Sequence, residues 1–353
     1  MSAAGAIGAG TLKPLPKRII WAFAIGYFIF YAPYAGTVKI ISSRGQSAAQ
    51  IFPSVVIGTI AGVLLTITLL GWWRYARVVR EPRRLLSGIA TASQWGATTV
   101  AYTFSGISIV LAVLLMRAGV LTIAPVVDIA YKRRVRWFAW AALGLAIVAV
   151  VYALAHVSDY SLPLLAAVNL GFYLAGYAVR LPTMTKQAKT KDRDCTQQYF
   201  VDEALIASTA LLTVTMAGTL LPLGAVTAGL RHGFANISVA GLAGGFFYAG
   251  LHLFGTMIYL DWRENAFCIS LNRCTSIFAG IVASLAVTWN WNIAAVPQSQ
   301  LVAAAIMFLA LALLSPAHHL FDLVLAPVMR RVGTAALSYA DGAARRTRET
   351  EEN

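Results

Sequence analysis

Leu111–Pro125 reads LAVLLMRAGVLTIAP, a run suited to lipid at every position except Arg117. It sits within a longer apolar stretch, 107–130, which exceeds the roughly 20 residues a helix needs to cross a bilayer. Arg117 is roughly ten residues from either end of that stretch, about 15 Å at the helical rise. A charge at that depth costs about 2.5–3.5 kcal/mol on insertion scales. The arginine therefore needs a physical reason to be there.

The rest of the chain has the same character. Of its 353 residues, 59% are hydrophobic and 12% charged, where soluble domains carry about 25% charged residues. Apolar runs of spanning length recur at approximately 19–41, 51–73, 85–104, 107–130 and 137–156, then at 162–182, 199–221, 237–260, 265–288 and 299–320. The predicted fold is an all-α polytopic membrane protein with ten transmembrane helices embedded in the lipid bilayer. The net charge of +14 does not point to nucleic acid, because the basic residues cluster in short segments between apolar runs. With both termini on the cytoplasmic side, the clusters around Lys17, Arg80, Arg134, Lys189, Arg263 and Arg346 all fall inside, and only Arg44 and Arg231 fall in outer loops. That is the positive-inside asymmetry. Alanine-rich composition and a first span too long for a signal-peptide core lead to the expectation of a multi-pass protein of the bacterial inner membrane.

The ten runs divide into two fives near residue 157. This gives a first repeat over 1–156, a second over 157–320, and a cytoplasmic amphipathic or disordered tail over 321–353. An odd number of spans per half forces opposite orientations, so any relation between the halves is an inverted repeat. The first run contains GYFIFYAPYAGTVK and the sixth GFYLAGYAVR, each with Gly, an FY pair, a YA pair and a cation, Lys39 or Arg180. Tyr102 precedes Arg117 by fifteen residues, and Tyr259 precedes Arg273 by fourteen. Small residues follow each arginine.

This layout resembles the drug/metabolite transporter superfamily, ten-helix carriers that include EamA-type exporters, nucleotide-sugar transporters and plastid phosphate translocators. The resemblance covers nearly the whole chain and is clearest over Tyr102–Val151, including Pro125. One departure is Asp128, followed by KRR, where the family usually has a Glu. The resemblance implies alternating access and, by analogy with the phosphate translocators, central Lys and Arg residues that hold substrate phosphates.

The residues themselves point the same way. Arg117 and Arg273 have no short route to water, and the 14 Asp and Glu residues all map toward helix ends, with none at mid-depth. A central cavity without counter-charges attracts an anion, and guanidinium forks grip phosphate or carboxylate bidentately. Lys39 and Arg180, nearer helix ends, either extend this cage or snorkel to the interface. Tyr31 and Tyr34 (with Tyr27), Tyr173 and Tyr177 recur at helical spacing, either as pocket walls or as packing residues with bonded hydroxyls. Gln94, Trp95, Thr98 and Tyr102 form a further candidate face. Asn169 and Asn272 add central polar groups, and His252 is the one mid-span group able to titrate near neutral pH.

The expected function is a carrier or flippase for an anionic, phosphate-bearing metabolite or lipid-linked headgroup, with no cofactor and no nucleic-acid partner. An EamA-type exporter of amino acids or neutral metabolites with structural arginines is the alternative. A membrane enzyme acting on lipid phosphates needs a nucleophile, base or metal cluster beside the arginines, and no such motif is found. Cys195, Cys268 and Cys274 form neither a CxxC pair nor a disulfide framework.

Overall fold

In the structure, a computed structural model describing residues 19–76, 82–101, 109–156, 164–189, 193–291 and 298–314, each expected apolar run is a helix. They are α1 (Ile19–Ser43), α2 (Ala48–Leu69), α3 (Pro82–Ala101), α4 (Ile109–Ala130), α5 (Trp137–Ala155), α6 (Leu164–Gln187), α7 (Arg193–Gly218), α9 (Val239–Leu260), α10 (Asn265–Trp291) and α11 (Gln298–Leu314). Between α7 and α9 lies a short helix, α8 (Ala225–Ala235), in a segment that reads as loop because it is too short and too mixed to span. Among the described residues there is no strand.

Among the described residues, five stretches are long and apolar enough on their own to cross a membrane: Ile19–Val38, Ala48–Leu69, Asp194–Gly218, Val239–Leu260 and Asn265–Asn290. Gly119–Ala130, Trp137–Tyr152 and Leu301–Leu314 are apolar but shorter. Helices α3 and α6 carry Arg83, Arg84 and Gln94, and Asn169 and Arg180 respectively. Their polar groups lower the apolar signal, and the two helices pack against each other.

Local chemistry sets the helix ends. The Ser47 N–H donates to Gln50 Oε1 at 3.0 Å, which satisfies a donor ahead of α2. Gly71, at φ +64°, ends the same helix in the left-handed conformation that glycine adopts without strain. Ser238 Oγ accepts from Gly241 N at 3.3 Å at the start of α9, and Ser54 Oγ of α2 accepts from Ser238 N at 2.9 Å.

Helix α2 lies along α9, α1 along α9 and α10, α3 along α6 and α7, and α5 along α11. Helix α4 touches α5, α6 and α10, and α10 also touches α5 and α11. The α2–α9 crossing is backbone to backbone: a Cβ at Gly58 would overlap Leu242 O, and one at Gly245 would overlap Val55 O. In apolar surroundings such small-residue contacts supply the close packing that the hydrophobic effect cannot.

Candidate functional site

The centre of this packing is a cavity. Its walls come from α1 (Tyr27, Tyr31, Tyr34), α3 (Thr98), α4 (Met116, Arg117), α6 (Tyr173, Tyr177), α9 (Tyr248, Leu251) and α10 (Arg273). A second lobe shares Tyr27, Thr98, Tyr173, Tyr177, Tyr248 and Leu251 with the first, and adds Gln94, Arg180, His252, Thr256, Tyr259 and Asn272. Of the six residues that wall both lobes, four are tyrosines.

Arg117 and Arg273 both line the first lobe, each eight residues into its helix, after Ile109 in α4 and after Asn265 in α10. Arg273 is 5% exposed and Arg117 8%. The Arg273 guanidinium carbon lies 5.2 Å from the centre of the Tyr177 ring, close enough for cation–π attraction. Its Nε and Nη2 are buried, with no hydrogen-bond partner among the described residues. Arg117 Nη2 donates to Tyr31 OH at 2.7 Å. Neither arginine forms an ion pair with a described carboxylate.

Arg180 is different. It is 3% exposed, not an interfacial anchor, and it grips Glu203 with two bonds, Nε to Oε1 at 2.9 Å and Nη2 to Oε2 at 2.7 Å. Arg180 Nη2 also donates to Thr256 Oγ1 at 2.8 Å and Nη1 to Gln94 Oε1 at 3.3 Å, while Ser87 Oγ donates to Glu203 at 2.9 Å. The expectation that no carboxylate reaches the interior is corrected here. Glu203 maps near the end of the run 199–221 by counting, but α7 begins at Arg193, which places Glu203 a turn and a half deeper and opposite Arg180.

The remaining polar groups of the second lobe are half-satisfied in a consistent way. Gln94 Oε1 accepts from Arg180, and its Nε2 has no partner. Asn272 Oδ1 accepts from Tyr259 OH at 2.7 Å, and its Nδ2 has none. His252 Nδ1 takes the Trp95 Nε1–H at 3.2 Å. Because indole is only a donor, the ring proton sits on Nε2, which also lacks a partner.

Of the sequence candidates, Arg117, Arg273, Tyr31, Tyr34, Tyr173, Tyr177, Gln94, Arg180, His252 and Asn272 all line the cavity. Asn169 does not; its Nδ2 donates to Ala97 O at 3.0 Å and ties α6 to α3. Tyr102, the side chain of Lys39 and the tail from 315 onward lie outside the described residues. Sequence reasoning missed Tyr248, Thr256 and Glu203. Tyr248, His252, Thr256 and Tyr259 repeat along one face of α9 at helical spacing, a signal that could have found the first two.

One end of the bundle is closed by charges. Fully buried Asp128 accepts from Asn265 N at 2.9 Å, Asn265 Nδ2 at 2.8 Å and Ala266 N at 2.8 Å, so a side chain of α4 caps the start of α10. Arg136 Nε pairs with Glu264 at 2.8 Å, and Lys189 Nζ donates to Arg263 O at 2.7 Å. Beside it, Tyr75 donates to Asp194 at 2.7 Å, and that bond raises the phenol above its ordinary range. Among the described residues no group of three or more His, Cys, Asp or Glu could hold a metal.

No family model and no curated protein matches the chain. Solved structures do: one crystal structure of a protein aligns with 87% of this chain and 100% of its own, at 12% identity and a TM-score of 0.56. At that identity the likeness concerns the fold alone.

Proposed function

We propose that this chain is a carrier or flippase that moves an anionic, phosphate-bearing compound across a membrane by alternating access, without covalent chemistry. The observation that carries the proposal is the buried Arg273 guanidinium, which faces a cavity shared with Arg117 while neither has a carboxylate partner among the described residues. A buried charge with no counter-charge is costly, and intramembrane cations that face a cavity belong to substrate paths. A phosphate monoester carries about −1.5 to −2 charges, which balances two guanidinium groups. Structural arginines would have partners, as Arg180 does.

Ten crossings in two inverted fives fit the packing. With α8 set aside, exchanging α1–α5 for α6, α7, α9, α10 and α11 in order turns α1 on α9 into α6 on α3, and α2 on α9 into α7 on α3. The same exchange turns α4 on α5 into α10 on α11 and leaves α5 on α11 unchanged. Tyr27, Tyr31 and Tyr34 repeat the spacing of Tyr173, Tyr177 and Arg180. Helix α8 has 11 residues, about 16 Å at the helical rise. It is too short to cross, which supports a parity with both termini on the basic, cytoplasmic side. Membership of the drug/metabolite transporter superfamily and residence in a bacterial inner membrane complete the proposal.

The test is exchange of labelled inorganic phosphate and organic phosphates in proteoliposomes. Uptake should occur with wild-type protein and fall at least tenfold in Arg273→Ala and Arg117→Ala variants that still elute as folded protein. Undiminished uptake in both variants would refute the proposal.

A further inference from the structure

We infer that the ligand is bipartite, with a dianionic phosphate between Arg117 and Arg273 and, in the adjoining lobe, an uncharged oxygen-bearing group whose lone pairs are read by Gln94, Asn272 and His252. This rests on the anion-binding reading of the first lobe and specifies what is attached to the anion.

The argument is one of hydrogen-bond type. In the second lobe three side-chain nitrogens are buried without partners: Gln94 Nε2, Asn272 Nδ2 and His252 Nε2. All three are donors in this setting. The acceptor oxygens of Gln94 and Asn272 are already engaged by Arg180 and Tyr259, which settles that the unpaired end of each amide is its donor nitrogen. Trp95 occupies the acceptor nitrogen of His252. Buried polar groups in folded proteins find partners, and three unpaired donors on residues that line one lobe define what fits there. A hydrocarbon would leave all three unsatisfied, and a donor-only group such as an ammonium would face three more donors.

Charge separates the two lobes. The only cation lining the second lobe among the described residues is Arg180, and Glu203 neutralises it through two bonds. That lobe therefore holds no uncompensated positive charge, and the group it takes is neutral. Carbonyl, ether and hydroxyl oxygens meet this description, and the tyrosine rings common to both lobes flank the connecting carbon chain. A free phosphate ion would use the first lobe only, as would an alkyl phosphate.

Two matched pairs of compounds test this on detergent-purified protein by calorimetric titration. They are glycerol 3-phosphate against n-propyl phosphate, and glucose 6-phosphate against cyclohexylmethyl phosphate, with inorganic phosphate as the reference anion. The oxygenated member of at least one pair should bind at least about tenfold more tightly, because the alkyl member leaves buried donors unpaired. Asn272→Leu and Gln94→Leu should each shrink that preference to less than about threefold while inorganic phosphate still binds within a few-fold of wild type. That retained binding also shows that the variants fold. Equal binding within both pairs by the wild-type protein, or an undiminished preference in both leucine variants, would overturn the inference. Should both variants fail to fold, the wild-type comparison decides. If none of the phosphates binds, the anion-binding reading itself fails, an outcome distinct from phosphate binding without discrimination.

Discussion

Arg180 and Arg273 are the same residue type at nearly the same burial, 3% and 5% exposed, in walls of one cavity, and they are solvated in opposite ways. Arg180 has a carboxylate, an amide oxygen and a hydroxyl around it. Arg273 has tyrosine rings and two open donors. The first arrangement ties α6 to α7, α3 and α9 and is complete as it stands. The second is complete only with something negative from outside. Depth and residue type do not distinguish a structural cation from a binding one; the partner does.

The largest effect should come from breaking the complete site. Glu203→Gln leaves Arg180 buried without a counter-charge, and removal of one member of a buried pair costs about 3–5 kcal/mol. The melting temperature in detergent should fall sharply, and Glu203→Gln combined with Arg180→Met should recover most of the loss. An unchanged melting temperature in Glu203→Gln would erase the distinction between the two sites.

The same measurement on the other site should have the opposite sign. Arg273→Leu removes a buried charge that has no carboxylate among the described residues, so the protein without ligand should melt at a higher temperature, a gain of about 1 kcal/mol. Stabilisation by added phosphate, which follows occupancy, should disappear. A loss of stability comparable to that of Glu203→Gln would make Arg273 a structural residue.

Asp128 sharpens the comparison from outside the cavity. Its three bonds to the start of α10 act as a helix cap supplied by α4. Asp128→Asn should cost about 0.5–2 kcal/mol, the range for a lost cap, and leave phosphate affinity unchanged. The smallest effect is expected at Tyr31, where Tyr31→Phe removes one bond to Arg117. A bond to a charged group contributes about 1.5–3 kcal/mol, but only the part that differs between free and phosphate-bound protein reaches affinity, so phosphate affinity should change by no more than about tenfold.

The helices were legible because their cause is local. A run of apolar residues in 107–130 or 237–260 must satisfy its backbone within itself once it leaves water, and no partner is needed to see that. Helix α8 and the start of α7 at Arg193 were not legible, because short or polar-flanked helices take their stability from packing, here on α2 in the case of α8. Arg117 and Arg273 stood out as charges without an exit. The sequence also placed their tyrosine neighbours on the right helices.

Partnership was beyond its reach. Glu203 and Arg180 are 23 residues apart, and whether a carboxylate meets a guanidinium at that separation depends on how α6 and α7 cross. That the oxygens of Gln94 and Asn272 are engaged while their amide nitrogens are left unpaired likewise follows from Arg180 and Tyr259 on neighbouring helices. The sequence alone determined that helices fill this chain and that cations lie deep within them, since both follow from the periodic cost of exposing polar groups to lipid. The tertiary structure decided which of those cations are neutralised, because electrostatic and hydrogen-bond energies fall off over a few ångströms and so depend on contacts that no linear spacing specifies.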